Sequence, residues 1–233
     1  MKNRNLISWL IFALAIGVVL STAYVCGNKS KIQCTPGTLQ LKADIPGTFS
    51  RSKVFKSVDG GTISLKSAQI EIQNLKIENN LSSEMNEAIL QGPYLLDILS
   101  GTAPIDEVLI QPGKYKKVVF DFFSGSDNGN HSIVLDGIFT NAKGVAIPFI
   151  VYSETDQTIQ LPIVESGMNV NSENIWSMTI LYDLHNSLNK LDFDSADRIN
   201  GGISITKDYN TGIYKKFLAL LSKHIDVETT REN

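Results

Sequence analysis

The chain has 233 residues, of which 42% are hydrophobic and 19% are charged, and its formal net charge is -3. This is the composition of an ordinary globular protein, so most of the chain can bury a core and extensive disorder is not expected. A slightly acidic chain without a Lys/Arg cluster also argues against a nucleic-acid partner, which would need a strongly basic face. We therefore predict one large domain that does not bind nucleic acid.

The N-terminus has the order of charges and apolar residues that is typical of a signal peptide. Residues 1–5 are basic, and residues 6–20 form an uncharged apolar run. The small residues at 21–23 predict cleavage after Ala23. If the apolar run is extended to Cys26, it approaches the ~20 residues that span a bilayer, so an uncleaved membrane anchor is the alternative. Both possibilities predict an extracytoplasmic protein, in the periplasm or at the cell surface.

Two cysteines, Cys26 and Cys34, follow the apolar run. In an oxidising compartment they could close a small disulfide loop, and the alternative is two unrelated thiols. A lipid-modified Cys26 is a third possibility, although Tyr24 and Val25 are bulky where a lipoprotein peptidase takes small residues. The membrane is thus a partner if the N-terminal segment is uncleaved or lipidated. No spacing typical of a zinc site occurs.

The first segments with a two-residue apolar period predict β-strands. Residues 39–45 alternate clearly, and a further stretch begins near residue 63. The apolar residues of 70–77 fall on two faces, so a bulge or break near Asn74 is needed to bury all of them. Residues 78–91 are predicted to be a polar loop with at most a short helical turn.

The middle of the chain contains the densest apolar pattern. The clusters at 95–99 and 108–110 predict short buried strands. Residues 116–123 alternate with one wholly apolar face, and the alternation resumes over 133–139. The polar residues 124–130 lie between them, so the two strands are predicted to form a hairpin.

The C-terminal third contains strands and then a helix. Pro148 and Pro162 lack the amide proton that a central strand donates, so their strands are predicted to lie at sheet edges or to contain bulges. Residues 175–182 alternate on two apolar faces and predict a strand buried on both sides. Asn210 or Thr211 can begin a helix. Its apolar face consists of Ile213, Phe217, Leu220, Leu221 and His224.

About nine short strands predict a mainly β fold, an antiparallel β-sandwich with a C-terminal helix, preceded by an N-terminal apolar helix. The predicted organisation is a signal peptide or membrane anchor at 1–23, a linker at 24–37, the β-sandwich domain at 38–225 and a disordered charged tail at 226–233.

Three short motifs resemble a known family. They are Tyr94-Leu95-Leu96-Asp97-Ile98-Leu99, Pro112-Gly113-Lys114-Tyr115 and Leu191-Asp192-Phe193-Asp194. This order resembles the DUF-type domains of uncharacterised exported bacterial lipoproteins, over residues 36–205. The resemblance implies a prealbumin-like β-sandwich whose function is unassigned, and it implies no catalytic residue.

An acidic segment near the C-terminus suggests a calcium site. Asp192, Asp194 and Asp197 cluster on a predicted loop, and hard cations favour carboxylate ligands. An EF-hand loop does not fit, because Ala196 and Ile203 stand where ligands are required. The alternative is a solvated or helix-capping acidic loop. A second possible metal location is the loop Asp127-Asn128-Gly129-Asn130, although turn chemistry explains its composition without a ligand. No cofactor other than calcium is predicted.

Catalytic motifs are not apparent. His131 and Ser132 with Asp121 or Asp136 could be drawn as a nucleophilic set. A polar loop rich in Ser, Asn and Asp would produce the same residues by chance. The nucleophile-elbow, zinc-protease and phosphate-loop motifs are absent from the sequence. We therefore predict that the protein is not an enzyme.

The remaining prediction is a non-catalytic, exported cell-envelope module that binds a partner or forms surface structure. Residues 124–130 and 153–157 are the candidate binding loops. The alternative is a calcium-dependent or carbohydrate-binding extracytoplasmic module. Carbohydrate binding would need exposed aromatic side chains, for which Trp176, Tyr94 and Tyr115 are candidates. The expected partner is an envelope protein or a glycan.

Overall fold

A computed structural model describes residues 35–46, 54–79, 87–163 and 167–232. The predicted signal peptide or anchor, Cys26 and Cys34 lie outside these residues. Within the described ranges, no helix is long and apolar enough to span a membrane. The described residues belong to one compact unit, Thr35–Asn233. Its fold is mainly β with several sheets, as the alternating patterns predict.

The described residues contain sixteen strands and two α-helices. In chain order they are β1 (Gly37–Asp44), β2 (Val54–Lys56), β3 (Thr62–Glu78), β4 (Glu87–Leu90), β5 (Tyr94–Asp97), β6 (Ala103–Ile110), β7 (Gly113–Tyr115), β8 (Lys117–Phe122), β9 (Ile133–Thr140), β10 (Ala146–Ser153), β11 (Thr158–Pro162), β12 (Met168–Val170), β13 (Ile175–Tyr182), α1 (Leu184–Leu188), β14 (Arg198–Ile199), β15 (Gly202–Ile205), α2 (Thr211–Lys223) and β16 (Ile225–Glu232).

Three sheets result. A four-stranded sheet has the order β16-β13-β1-β6, and a ten-stranded sheet has the hydrogen-bonded path β11-β8-β3-β9-β10-β15-β14. Strands β2, β4 and β5 also pair with β3, and β7 pairs with β12. Alternate residues of the long strands are buried in one hydrophobic core, which is what a pleated strand with one face on the core requires.

The long strand β3 organises the larger sheet. It runs for 17 residues and pairs antiparallel with five other strands. The register shifts between Gln73 and Lys76, and Asn74 has a φ of 52°. This bulge keeps Leu75 and Ile77 fully buried, which confirms the bulge predicted near Asn74.

Strands β8 and β9 do not form the predicted hairpin. Strand β8 pairs with residues 72–78 of β3, and β9 pairs with residues 62–70 on the same edge. Both run antiparallel to β3, so the loop between them does not reverse the chain. The two strands therefore lie end to end along β3, and Glu71 faces the interruption. An alternating pattern predicts each strand but not its partner, which explains the wrong prediction.

The number and direction of the strands also differ from the prediction. The described residues contain sixteen strands where about nine were expected, and part of the difference is due to the short strands β2 and β4, which pair with the two ends of β3. One of them is β4, which lies inside the predicted polar loop at 78–91. The pairs β1–β13 and β10–β15 are parallel, so the sheets are not wholly antiparallel.

The predicted disordered tail is wrong for residues 226–232. Strand β16 pairs antiparallel with all eight residues of β13. Ile225 and Val227 are buried, whereas Asp226 and Glu228 are exposed. The charges lie on the solvent side of an edge strand, where they discourage pairing with another chain. A charged composition therefore concealed a short alternating pattern.

The proline prediction holds for one strand and fails for the other. Strand β11, which contains Pro162, pairs with β8 alone and lies at a sheet edge. Strand β10 pairs on both sides, but its pairing with β15 begins at Phe149, one residue after Pro148. The missing amide proton therefore removes no bond from that ladder. The predicted helix is confirmed as α2, which buries Phe217 and Leu221.

Candidate functional site

The two candidate binding loops lie next to each other. Strand β10 pairs with β9 and β11 pairs with β8, so the loop 154–157 lies beside the loop 123–132. The amide and hydroxyl of Ser132 both donate to the carbonyl of Ser153, at 2.7 and 3.1 Å. The gap between β8 and β9 thus places the two candidate loops side by side.

A cleft of about 290 Å³ opens beside these loops. It is lined by residues from the end of the β8–β9 loop, from the C-terminal end of β10 and the residue after it, from β15, from the turn that leads into α2 and from α2 itself. The lining residues are His131, Tyr152, Glu154, Ser204, Thr206, Lys207, Asp208, Tyr209 and Tyr214. The volume suits a ligand near the lower end of the small-molecule range.

A close ion pair forms the charged centre of the cleft. The ammonium of Lys207 donates to Oε2 of Glu154 at 2.7 Å. The Lys207 ammonium lowers the pKa of the Glu154 carboxyl, and the same contact raises the pKa of Lys207. Both groups are therefore charged at neutral pH. Asp208 adds a second carboxylate to the lining.

Aromatic rings supply the apolar part of the cleft. The ring of His131 stacks on Tyr152, with centroids 4.4 Å apart and 18° between the planes. Its Nδ1 atom lies 4.0 Å from Oε1 of Glu154 and is buried without a hydrogen-bond partner. Tyr209 is 55% exposed, and the Tyr214 hydroxyl lies 3.2 Å from Oγ of Ser153. The side chains of Tyr152, Tyr209 and Tyr214 thus line the cleft.

The turn after β15 places the lysine. Oγ of Thr206 accepts hydrogen bonds from the amides of Asp208 and Tyr209, at 3.1 and 3.0 Å. The amide of Thr206 also donates to the carbonyl of Tyr209 at 2.9 Å. This compact turn holds Lys207 against Glu154 across the parallel β10–β15 pair.

The proposed nucleophilic set is not assembled. The Ser132 hydroxyl is fully buried and donates to a backbone carbonyl. The carboxylate of Asp121 accepts hydrogen bonds from the side chains of Asn74 and Thr158, at 2.9 and 2.6 Å. His131 faces Glu154 and Tyr152 in the cleft.

The acidic segment is held by backbone contacts of its own. Oδ1 of Asp192 accepts from the amide of Ser195 at 3.1 Å, and the amide of Asp197 donates to Oδ1 of Asn210 at 2.8 Å. Asp192, Asp194 and Asp197 are all exposed. Within the described part of the chain, no three His, Cys, Asp or Glu side chains are grouped to hold a metal. Calcium at these aspartates stays a prediction.

The three aromatic residues predicted as a carbohydrate platform, Trp176, Tyr94 and Tyr115, do not line the cleft. Tyr115 is buried, its hydroxyl donates to the carbonyl of Gln111 at 2.9 Å, and burial raises its pKa to about 12. Trp176 and Tyr94 are half-buried, and the Tyr94 hydroxyl donates to Asp106. Sequence reasoning missed Tyr152, Tyr209 and Tyr214, although Tyr209 lies in a Lys-Asp-Tyr-Asn turn that signals exposure.

Comparisons with known proteins do not show a family for this chain. No protein-family model matches the chain, and no curated protein matches it significantly. Among solved structures, MbnP from Methylosinus trichosporium is similar over 77% of this chain and 86% of its own length, with a TM-score of 0.44 and 9% identity.

Proposed function

We propose that the protein is a non-catalytic, exported β-sandwich module of the cell envelope that binds a carbohydrate in the cleft. The observation that carries the proposal is the combination of three tyrosine rings with the Lys207–Glu154 ion pair in a cleft of about 290 Å³. Exposed aromatic faces and a few convergent polar groups are what a small polyhydroxylated ligand needs.

The charges in the cleft disfavour an anionic ligand. Lys207 and Glu154 neutralise each other in their ion pair, and the additional carboxylate of Asp208 would repel a phosphate or a carboxylate. A sugar carries hydroxyl groups that donate to carboxylates and accept from an ammonium. Adjacent hydroxyls can therefore bind the Glu154 carboxylate and the Lys207 ammonium at the same time, while the ring lies against a tyrosine.

The polar groups of the cleft support binding more than catalysis. A carboxylic acid that acts as general acid near neutral pH needs a raised pKa, whereas Lys207 lowers the pKa of Glu154. The Ser153 hydroxyl accepts from the amide of Thr155 at 3.2 Å and contacts the Tyr214 hydroxyl. It is therefore not poised as a nucleophile.

Export and anchoring are part of the proposal. The support is the basic segment at 1–5 followed by the apolar run at 6–20. Mass spectrometry of the mature N-terminus separates the cleaved, lipidated and anchored forms. An intact first residue on a protein recovered from the cytosol would refute export.

A glycan array of neutral sugars followed by calorimetry tests the ligand. We expect binding that falls about tenfold or more in Glu154→Gln and Lys207→Met, because each change removes charged hydrogen bonds. Tyr209→Ala should also weaken binding. Tyr94→Phe, which changes an aromatic residue outside the cleft lining, is the control and should bind as the wild type does. The proposal fails if no neutral glycan binds, or if the cleft variants bind unchanged.

A further inference from the structure

Glu71 of β3 lies opposite the gap between the end of β8 and the start of β9. The amide of Phe123 donates to its carbonyl at 2.9 Å, and its own amide donates to the carbonyl of Ser132 at 2.8 Å. Residue 71 is thus tied to both ends of the loop 124–131. Its side chain is only 1% exposed, although a carboxylate is rarely buried without a partner.

Among the described residues, no basic side chain forms an ion pair with the buried carboxylate of Glu71. The amide of Gly125 donates to its Oε2 at 3.3 Å, and no described Lys, Arg or His lies within ion-pair distance. Burial raises the pKa of Glu71; the Gly125 amide opposes this shift and the Asp127 carboxylate adds to it. The Asp127 carboxylate therefore repels that of Glu71, and no described basic side chain compensates Glu71.

Besides Nδ1 of His131, which faces Glu154 in the cleft, two buried polar atoms of the same loop have no hydrogen-bond partner. They are Oγ of Ser124 and Nδ2 of Asn128. Asn128 is 6% exposed while its neighbours Ser126 and Asp127 are exposed, so its side chain points inward beneath the loop. The two ends of an amide are assigned from hydrogen bonds, and a half-turn would direct the Asn128 oxygen inward instead.

Protonation of Glu71 and binding of a cation would compensate these buried polar side chains differently. Protonation of Glu71 would remove its charge but leave the Ser124 hydroxyl and the Asn128 amide unpaired, at a cost for each. A hard cation accepts carboxylate, amide and hydroxyl oxygens together. It would thus offset both carboxylates and use both unpaired side chains.

We propose that Glu71 and the loop 124–128 form a binding site for a calcium-like divalent cation, with Glu71 and Asp127 as carboxylate ligands and Ser124 and Asn128 as neutral ones. The site is separate from the acidic segment at 192–197 and does not depend on the carbohydrate cleft. With two carboxylates, its Kd is expected at roughly 10⁻⁴ to 10⁻³ M, the range of extracellular calcium modules.

Calcium titration of the full chain by calorimetry, with melting temperature as a second readout, tests this site. In the wild type we expect saturable binding and a melting temperature that rises with calcium. Glu71→Gln and Asp127→Asn should each lose both effects, and Asp192→Asn, an exposed carboxylate elsewhere, should keep them.

The outcomes separate the possible sites. Absence of calcium binding to the wild type overturns the proposal, as does binding that persists in Glu71→Gln and Asp127→Asn. Binding that is lost in Asp192→Asn and kept in Glu71→Gln would assign the ion to the acidic segment and also overturns it. If Glu71→Gln does not fold, Asp127→Asn decides, because Asp127 is exposed.

Discussion

The ring of Phe193 stacks on Phe139, with centroids 5.3 Å apart and 24° between the planes. It also meets Phe149 edge-on at 5.0 Å and is fully buried. The acidic segment is thus attached to strands β9 and β10 through one aromatic side chain, while Asp192 and Asp194 on either side face solvent.

This arrangement predicts effects of very different size on stability for neighbouring substitutions. Phe193→Ala should lower the free energy of unfolding by about 3 to 5 kcal/mol, because it leaves a cavity beside the rings of Phe139 and Phe149. Asp192→Asn and Asp194→Asn should change it by less than ~0.5 kcal/mol. Urea unfolding in a chelator measures both. Aspartate variants as damaging as Phe193→Ala would show that the carboxylates hold the segment.

The contact between Gly125 and Glu71 predicts a second stability effect. A Cβ at Gly125 would collide with Oε1 of Glu71 and with the Phe123 ring. Gly125→Ala should therefore cost about 1 to 3 kcal/mol, the usual range for overpacking. Gly212→Ala is the matched control: it meets no atom within 4 Å and lies in α2, so it should stabilise by ~0.5 to 1 kcal/mol. Equal effects in the two variants would contradict the contact.

The raised pKa of Glu71 predicts how stability varies with pH in a chelator. The folded protein binds the Glu71 proton more tightly than the unfolded chain does, so stability falls as pH rises from the ordinary value of 4.5 to the raised one. Glu71→Gln should match the wild type below pH 4.5 and be more stable above that window. Urea unfolding across pH tests this, and a difference that does not vary with pH would rule the linkage out.

The ion pair in the cleft predicts a pKa change that can be measured without a ligand. Lys207→Met removes the main cause of the lowered Glu154 pKa, so that pKa should rise toward its ordinary value of 4.5. Titration of the Glu154 side-chain carbon by NMR measures it. Lys215→Met, which changes an exposed lysine of α2 outside the cleft, should leave the Glu154 pKa unchanged. An unshifted pKa in Lys207→Met would show that the pair does not form in solution.

Strand β16 predicts that the C-terminal residues contribute to stability. Val227→Ala should cost about 2 kcal/mol, since Val227 is 2% exposed and loses two buried methyl groups. Glu228→Ala, on the exposed side of the same strand, should change little. A silent Val227→Ala in thermal unfolding would instead support a disordered tail.

Local patterns in the sequence were sufficient for the elements themselves. The two-residue period identified the strands around Phe120 and Ile180, and the helical period identified α2. The bulge near Asn74 followed from the need to bury Leu75 and Ile77 on the same side as Ile72. These features depend on residues a few positions apart, and the side-chain periods of strands and helices are fixed by backbone geometry.

The tertiary structure decided which strands pair and therefore where the site lies. Glu71 alternates with Ile70 and Ile72, so its position along the strand predicts a solvent-facing side chain, yet the loop 124–131 covers it. Glu154 and Lys207 meet because β10 and β15 pair in parallel across about fifty residues of chain. A repeating pattern predicts which side of a strand is apolar. The pairing of strands that are far apart in the sequence depends on how all the apolar faces pack together. The cleft and the buried carboxylate of Glu71 therefore depend on the packing of the whole fold.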